Sequence, residues 1–182
     1  MNKKNVIISL IVILFCAIAL SACSSNSGRI RGSEGARYSA RFYGRTPRIF
    51  AENDVMLISC LDELAEWKKN ALEEYEKLLP SLVDPIYFEE YLKAFEEMLS
   101  EKLYGFSSDF FVGNQVIILP NLSSGTFEQF AVRNINYYNG NLSIELRIIR
   151  SFRASDSLGI RQFGIIEITK ISADLNIDLS IT

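Results

Sequence analysis

The chain has 182 residues and no histidine. That removes the Ser-His-Asp and Cys-His arrangements of nucleophilic catalysis and every zinc site built on imidazole. Cysteine is scarce too, with only Cys16, Cys23 and Cys60. Cys16 leaves with the export signal described below and Cys23 takes its lipid, so Cys60 stands alone in a mature chain, without an intramolecular disulfide partner or enough ligands for a metal. It lies in the apolar run Leu57-Ile58-Ser59-Cys60-Leu61 with no imidazole to activate it, and is expected to be a core residue rather than a reactive thiol. Glycine-rich phosphate loops, calcium loops, the strand-turn-helix serine elbow and internal repeats are all missing. No catalytic, cofactor-binding or metal-ligating residue is therefore assigned. Carboxylate chemistry remains, through Glu89-Glu90 and Glu96-Glu97. A glycosidase needs two carboxyls held across one bond, but helix neighbours point about 100° apart, so a solvated helix face is the better reading of both pairs.

What the chain does have is a distinctive start. Lys3 and Lys4 precede fifteen uncharged, almost wholly apolar residues, 6–20, and then Leu20-Ser21-Ala22-Cys23. This is the layout of a cleavable export signal, and the run is short of the roughly 20 apolar residues that an uncleaved transmembrane helix needs. It is similar to a bacterial lipobox. That similarity implies cleavage before Cys23, acylation of its sulfur and an extracytoplasmic membrane anchor, with the signal peptide occupying 1–22. Two or three acyl chains on one cysteine hold stably, at roughly 0.8 kcal/mol per buried CH₂.

Without residues 1–22 the chain is 160 residues long, enough for one domain with a core. It then carries 17 basic and 22 acidic residues, a net of −5 that is unevenly spread. Residues 24–48 hold Arg29, Arg31, Arg37, Arg41, Arg45 and Arg48 against Glu34 alone, a net of +5; residues 49–105 carry −9, and the remainder is near neutral. An exported acidic chain is a poor nucleic-acid binder. The segment 23–48 is rich in Ser, Gly and Arg and is expected to be a basic, lipid-anchored tether with a reach of roughly 25–30 Å, either touching anionic lipid or wall polymer or serving only as a soluble spacer. Within it Tyr38, Ala40 and Phe42 alternate with Ser39, Arg41 and Tyr43, so a short edge strand can begin there.

The domain proper is placed at 49–182. Residues 55–58 form a short strand by composition. Ser59 is positioned to cap the following helix, with Asp62 three residues on as an imperfect capping box. Leu61, Leu64, Ala71, Leu72, Tyr75, Leu78 and Leu79 then line one face, and Pro80 is expected to end the helix. Asp84-Pro85 opens a second helix striped by Phe88, Tyr91, Leu92, Phe95, Met98, Leu99 and Leu103, which Gly105 stops. The short link makes the two helices antiparallel. After this helical segment, 59–105, the period changes to two in a β segment, 110–182. Strands are expected at 115–119, 126–135, from Leu142, at 162–170 and at 175–181, with Asn139-Gly140 as a tight hairpin turn. The fold class is α+β: two antiparallel amphipathic helices packed on an antiparallel β-sheet or small sandwich of about five to six strands.

One surface cluster stands out. Arg147, Arg150, Arg153 and Arg161 surround a polar loop with Phe152 between them, and can bind an anionic polymer or a partner's carboxylates. Surface solubility with pairing to Glu145, Asp156 and Glu167 is the plainer reading.

Phe110-Phe111, Val116-Ile117-Ile118-Leu119, Ser123-Ser124-Gly125, Val132 with Ile135, Gly140 with Leu142-Ser143-Ile144, and Ile165-Ile166-Glu167-Ile168 together carry a family likeness. Over about the last eighty residues the chain resembles the small β domain of PrcB-like lipoproteins and related uncharacterised lipoproteins of anaerobic Gram-positive bacteria. The resemblance implies a non-catalytic partner subunit, for instance one stabilising a surface protease. The glycine-rich turn typical of those domains is reduced here to Gly125, and no functional residue carries over. The expectation is a lipid-anchored binding or scaffolding subunit of the cell envelope with a protein partner; the alternative is a weak carboxylate-based hydrolase or glycan-binding module.

Overall fold

Apolar side chains occupy both parities of residues 116–119 and again around Phe163, Ile165 and Ile166. A strand that is apolar on both faces must be covered on both. The computed structural model, which describes residues 24–46, 55–119, 122, 127–152, 161–171 and 175–182, puts these two strands at the centre of a three-layer α+β sandwich. The strands are β1 (Ser24–Arg29), β2 (Arg37–Thr46), β3 (Met56–Ile58), β4 (Asn114–Leu119), β5 (Phe127–Tyr138), β6 (Asn141–Phe152), β7 (Arg161–Thr169) and β8 (Asn176–Ile181). One sheet has the order β1-β2-β7-β4-β3 and the other β5-β6-β8. Helices α1 (Leu61–Leu82), α2 (Phe88–Lys102) and the short α3 (Ser108–Gly113) complete the described elements, with a 3-10 turn at Pro85–Tyr87.

Parity sorts the core. Ala40, Phe42, Ile117, Leu119, Ile166 and Ile168 face the three-stranded sheet and meet Phe130, Val132, Ile135, Leu142, Ile144 and Leu146. Val116, Ile118, Phe163 and Ile165 face the helices and meet Leu64, Trp67, Ala71, Phe95 and Leu99. Phe163 sits under Trp67, with ring centroids 5.6 Å apart and planes 15° from parallel. In β6 only one face is buried, so Leu142, Ile144 and Leu146 alternate with polar residues as expected. Gly164 lies beneath Phe42, and a Cβ there would come within 3.0 Å of that ring, so the missing side chain makes room for it.

The helices are antiparallel. Lys68 Nζ donates to Ser100 Oγ at 2.9 Å, while seven residues further along α1 the Tyr75 ring meets Phe95 at 4.3 Å. Their stripes agree with expectation, with three differences. Trp67 is the most fully buried aromatic of the helical layer, at 1% exposure, although the expected stripe passed over it, whereas Leu61 is exposed. Pro80 does not end α1: the helix runs on to Leu82 and closes with the Val83 N–H donating to the Leu79 carbonyl at 3.0 Å. A proline forfeits its own bond to the carbonyl four residues back, but near a C-terminus few later bonds depend on it. Cys60 is the N-cap of α1 and is exposed, not core. It contributes no side-chain cap. Instead Glu63 reaches back to accept the Ser59 N–H at 2.6 Å, and Ser59 Oγ accepts from buried Gln115 Nε2 at 2.9 Å. The Asp84 cap is as expected, its carboxylate accepting the Ile86 N–H at 3.2 Å, and Gly105 takes a φ of +102° where α2 stops.

The largest correction concerns residues 24–46. They are not a tether but a β-hairpin, β1 and β2, registered from Ser24↔Phe42 to Arg29↔Arg37 and joined through β2 to β7. Buried Ala40 and Phe42 supply the apolar face that the composition of the whole segment conceals. The tip is pinned to the other sheet: the Arg31 N–H donates to the Ile135 carbonyl at 2.9 Å and the Tyr137 N–H to the Arg31 carbonyl at 2.8 Å. Asn26 adds two bonds to the backbone of Val132. The described strands thus number eight rather than five or six, and one pair is not antiparallel. β6 and β8 run parallel because β7, in the other sheet, reverses the chain between them. Asn139 and Gly140, at φ 49° and 79°, make the tight turn between β5 and β6.

Gly32 lies within the pinned tip at φ +80°, where an added Cβ would stand 2.1 Å from the Tyr137 carbonyl oxygen. Gly35 has φ +75° with open space around it. Gly35→Ala is therefore expected to cost only the left-handed backbone term, about 1–2 kcal/mol, and Gly32→Ala about 3 kcal/mol or more, since backbone must move as well. Thermal unfolding of the two variants checks this: the Tm of Gly32→Ala should fall clearly further, and equal falls would mean that the tip is not docked on β5.

Candidate functional site

The helices cover β3, β4, β7 and the end of β2, but leave the same face bare over β1 and the start of β2. Cross-strand pairing sets three rows there. Arg29 opposes Arg37, whose N–H donates to Thr169 Oγ1 at 3.1 Å, and Thr169 opposes Asn114. Ser27 opposes Ser39, which opposes Glu167. Ser25 opposes Arg41, which opposes buried Ile165. The first two rows floor an open cleft of about 470 Å³, the candidate site.

The charges in it are unequally matched. Arg41 and Glu167 form an ion pair, and the Arg41 guanidinium also lies over the Phe106 ring at 5.8 Å. Both ends of the pair are partly exposed, so screening limits its contribution to about 1 kcal/mol. Arg29 and Arg37 have no carboxylate within ion-pairing distance among the described residues, and both are exposed. Like charges directly opposite one another on a sheet are destabilising by tenths of a kcal/mol up to about 1. Tyr38 turns its ring to the opposite face, against Gly28, where a Cβ would come within 2.8 Å of it. Burial raises the Tyr38 phenol above its usual value.

The cluster expected from sequence lies on two strands that flank its loop. Arg147, Arg150 and Phe152 lie on β6, opposite Ala131, Gln129 and Phe127, whereas Arg161 opens β7 in the other sheet, opposite Thr46. Arg147 does not line the cleft. Arg153 and Cys23 lie outside the described residues, as does the apolar leader. Two of the carboxylates expected to neutralise the cluster are engaged elsewhere: Glu145 pairs with Arg133 at 2.9 Å and Glu167 with Arg41. In the residue order Arg29 and Arg37 stand out only as part of the basic segment 24–48. The alternation of Tyr38, Ala40 and Phe42 was the available signal that their neighbours form a strand.

The acidic pairs stand on the outside of α2, with Glu89, Glu90, Glu96 and Glu97 all exposed. Glu96 lies 3.9 Å from Lys68 and Glu97 3.9 Å from Lys93. A shallow groove between α1 and α2, about 350 Å³, has Leu72 and Leu92 in its floor and includes Glu73, Glu76 and Glu96 with Lys68 and Lys69. Among the described residues no group of three Cys, Asp or Glu side chains could hold a metal ion, and no helix is long and apolar enough to cross a membrane. No family model, curated protein or solved structure matches the chain.

Tyr75 shares the raised phenol of Tyr38, through burial and then the charge of Tyr91. Folded protein therefore holds these protons more tightly than unfolded chain. The associated stability is complete below pH 10, the ordinary value, and is lost as pH rises through the raised ones. Denaturant unfolding from about pH 9 to 11.5 should show a fall in stability that is shallower in the Tyr38→Phe/Tyr75→Phe double variant. Identical slopes would show that neither phenol is linked to folding.

Proposed function

We propose that this chain is a lipid-anchored, extracytoplasmic, non-catalytic binding or scaffolding subunit of the cell envelope. The observation that carries the reading is the cleft over β1 and β2, which presents two guanidiniums without a carboxylate partner among the described residues, beside hydroxyl-bearing residues on a hairpin bonded to both sheets. A rigid frame binds at less entropic cost than a mobile one. The only acid lining the cleft among the described residues, Glu167, is already neutralised by Arg41, so the cleft is equipped to hold a ligand rather than to move its protons. The resemblance to PrcB-like lipoproteins points the same way. The carboxylate alternative is less well supported, because two of the acids in the helix groove, Glu73 and Glu96, face lysines at 3.7 and 3.9 Å.

Anchoring through Cys23 acquires a geometric consequence. Ser24 is already the first residue of β1, so acylation one residue earlier leaves about 3.8 Å of chain between lipid and fold. The domain would rest against the headgroups with the Ser24 end of its sheet inward. The Arg29 and Arg37 row, five residues along β1, would stand about 17 Å further out.

Expressed with its own leader in a bacterial host, the chain should take up labelled palmitate and fractionate with membranes, and Cys23→Ala should abolish the label and leave the precursor uncut. Crosslinking at native abundance should recover a constant companion. An unlabelled chain found in the cytosol would overturn the anchor; a labelled chain with no companion or ligand would overturn the binding role.

A further inference from the structure

We infer that the Arg29–Arg37 cleft is a binding site for a phosphodiester chain of polyol units. This assignment rests on the binding reading above and names its ligand. Three observations converge on it. First, the two arginines face each other directly across the β1–β2 pair, at the edge of a cleft, and have no carboxylate partner among the described residues. Left empty, such a pair is a local repulsion; an anion placed between the guanidiniums relieves it and accepts several charge-assisted bonds.

Second, the arginines are preorganised. The residues between them are fixed at both ends by buried Ile30 and Ala36, whose backbones bond at 2.9 Å, and in the middle by Arg31 bonded to β5. The carbonyl of Tyr137 fills the space beside Gly32. A disordered leader would have had to order on binding; this hairpin does not.

Third, the floor selects among anions. Ser27 and Ser39 offer hydroxyls, and Thr169 and Asn114, whose Oγ1 and Nδ2 already bond the Arg37 backbone and the Phe110 carbonyl, offer their remaining lone pairs and amide hydrogen, along two rows that cross four strands, roughly 14 Å at the usual strand spacing. That extent suits an extended chain carrying hydroxyls between its charges. Sugar-ring polymers with carboxylates would gain from an aromatic platform, but the one aromatic in the lining among the described residues, Tyr38, has its ring on the opposite face.

The test uses the full acylated chain in detergent micelles, titrated with a synthetic glycerol phosphate oligomer and, separately, with polygalacturonate. Arg37→Glu is the informative variant, because it sets opposite charges across the Arg29 position. It should raise Tm or leave it unchanged while weakening the phosphate oligomer by about tenfold or more, and added salt should weaken the wild type. An Arg37→Glu affinity within about twofold of wild type would overturn the site. Polygalacturonate bound as tightly as the phosphate oligomer would overturn the ligand class while leaving the binding role intact. Binding of neither polymer would overturn the inference, whereas the anchor and the protein companion are judged separately by palmitate labelling and crosslinking.

Discussion

Everything on the open side of the sandwich depends on one interlock, the docking of the β1–β2 hairpin tip onto β5. Arg31 exchanges backbone bonds with Ile135 and Tyr137, and the side-chain amide of Asn26 donates to the Val132 carbonyl and accepts the Val132 N–H. These bonds join the five-stranded sheet to the three-stranded one along the side where β1 would otherwise be an unprotected edge. An edge strand with free N–H and carbonyl groups invites pairing with other chains. Here part of that edge is turned inward and satisfied. Ile30 and Ala36 are buried by the same closure, and the arginines at the tip gain fixed positions.

The central sheet shows why covering is asymmetric. β4 and β7 are apolar on both faces and take the helices on one side and β5, β6 and β8 on the other. β2 changes character along its length, from Arg37 and Ser39 to buried Tyr43 on the helical side. The helix layer ends where the apolar residues end, with Arg41 bridging the boundary through Glu167 and the Phe106 ring. The cleft is what remains uncovered. Its electrostatics thus follow from the number of apolar residues available to hold a helix, and two of the six arginines of residues 24–48, Arg29 and Arg37, stand on the bare part of the sheet.

Much of this was legible in the residue order. The stripes at three- and four-residue steps located both long helices, Asn139-Gly140 located the hairpin, and the alternation after Leu142 located β6. Other elements were hidden for identifiable reasons. β1, Ser-Ser-Asn-Ser-Gly-Arg, has almost no apolar content and is a strand only because β2 pairs with it and Val132 accepts Asn26. The parallel β6–β8 pair required knowing that β7 crosses to the other sheet. Cys60 sat in an apolar run, yet a cap position faces outward. The Arg29 and Arg37 pair was visible as charge but not as a site, since two residues eight apart become opposite only once the turn between them is known.

Hydrogen exchange of backbone amides in residues 24–46 tests the interlock most directly, because a tether and a docked hairpin of the same composition differ in nothing so much as protection. The account predicts that the amides of Arg31, Ala40 and Phe42 exchange as slowly as those of β5 and β7. Exchange of this whole segment at the rate of an unstructured peptide, while β4 and β7 stay protected, would contradict it.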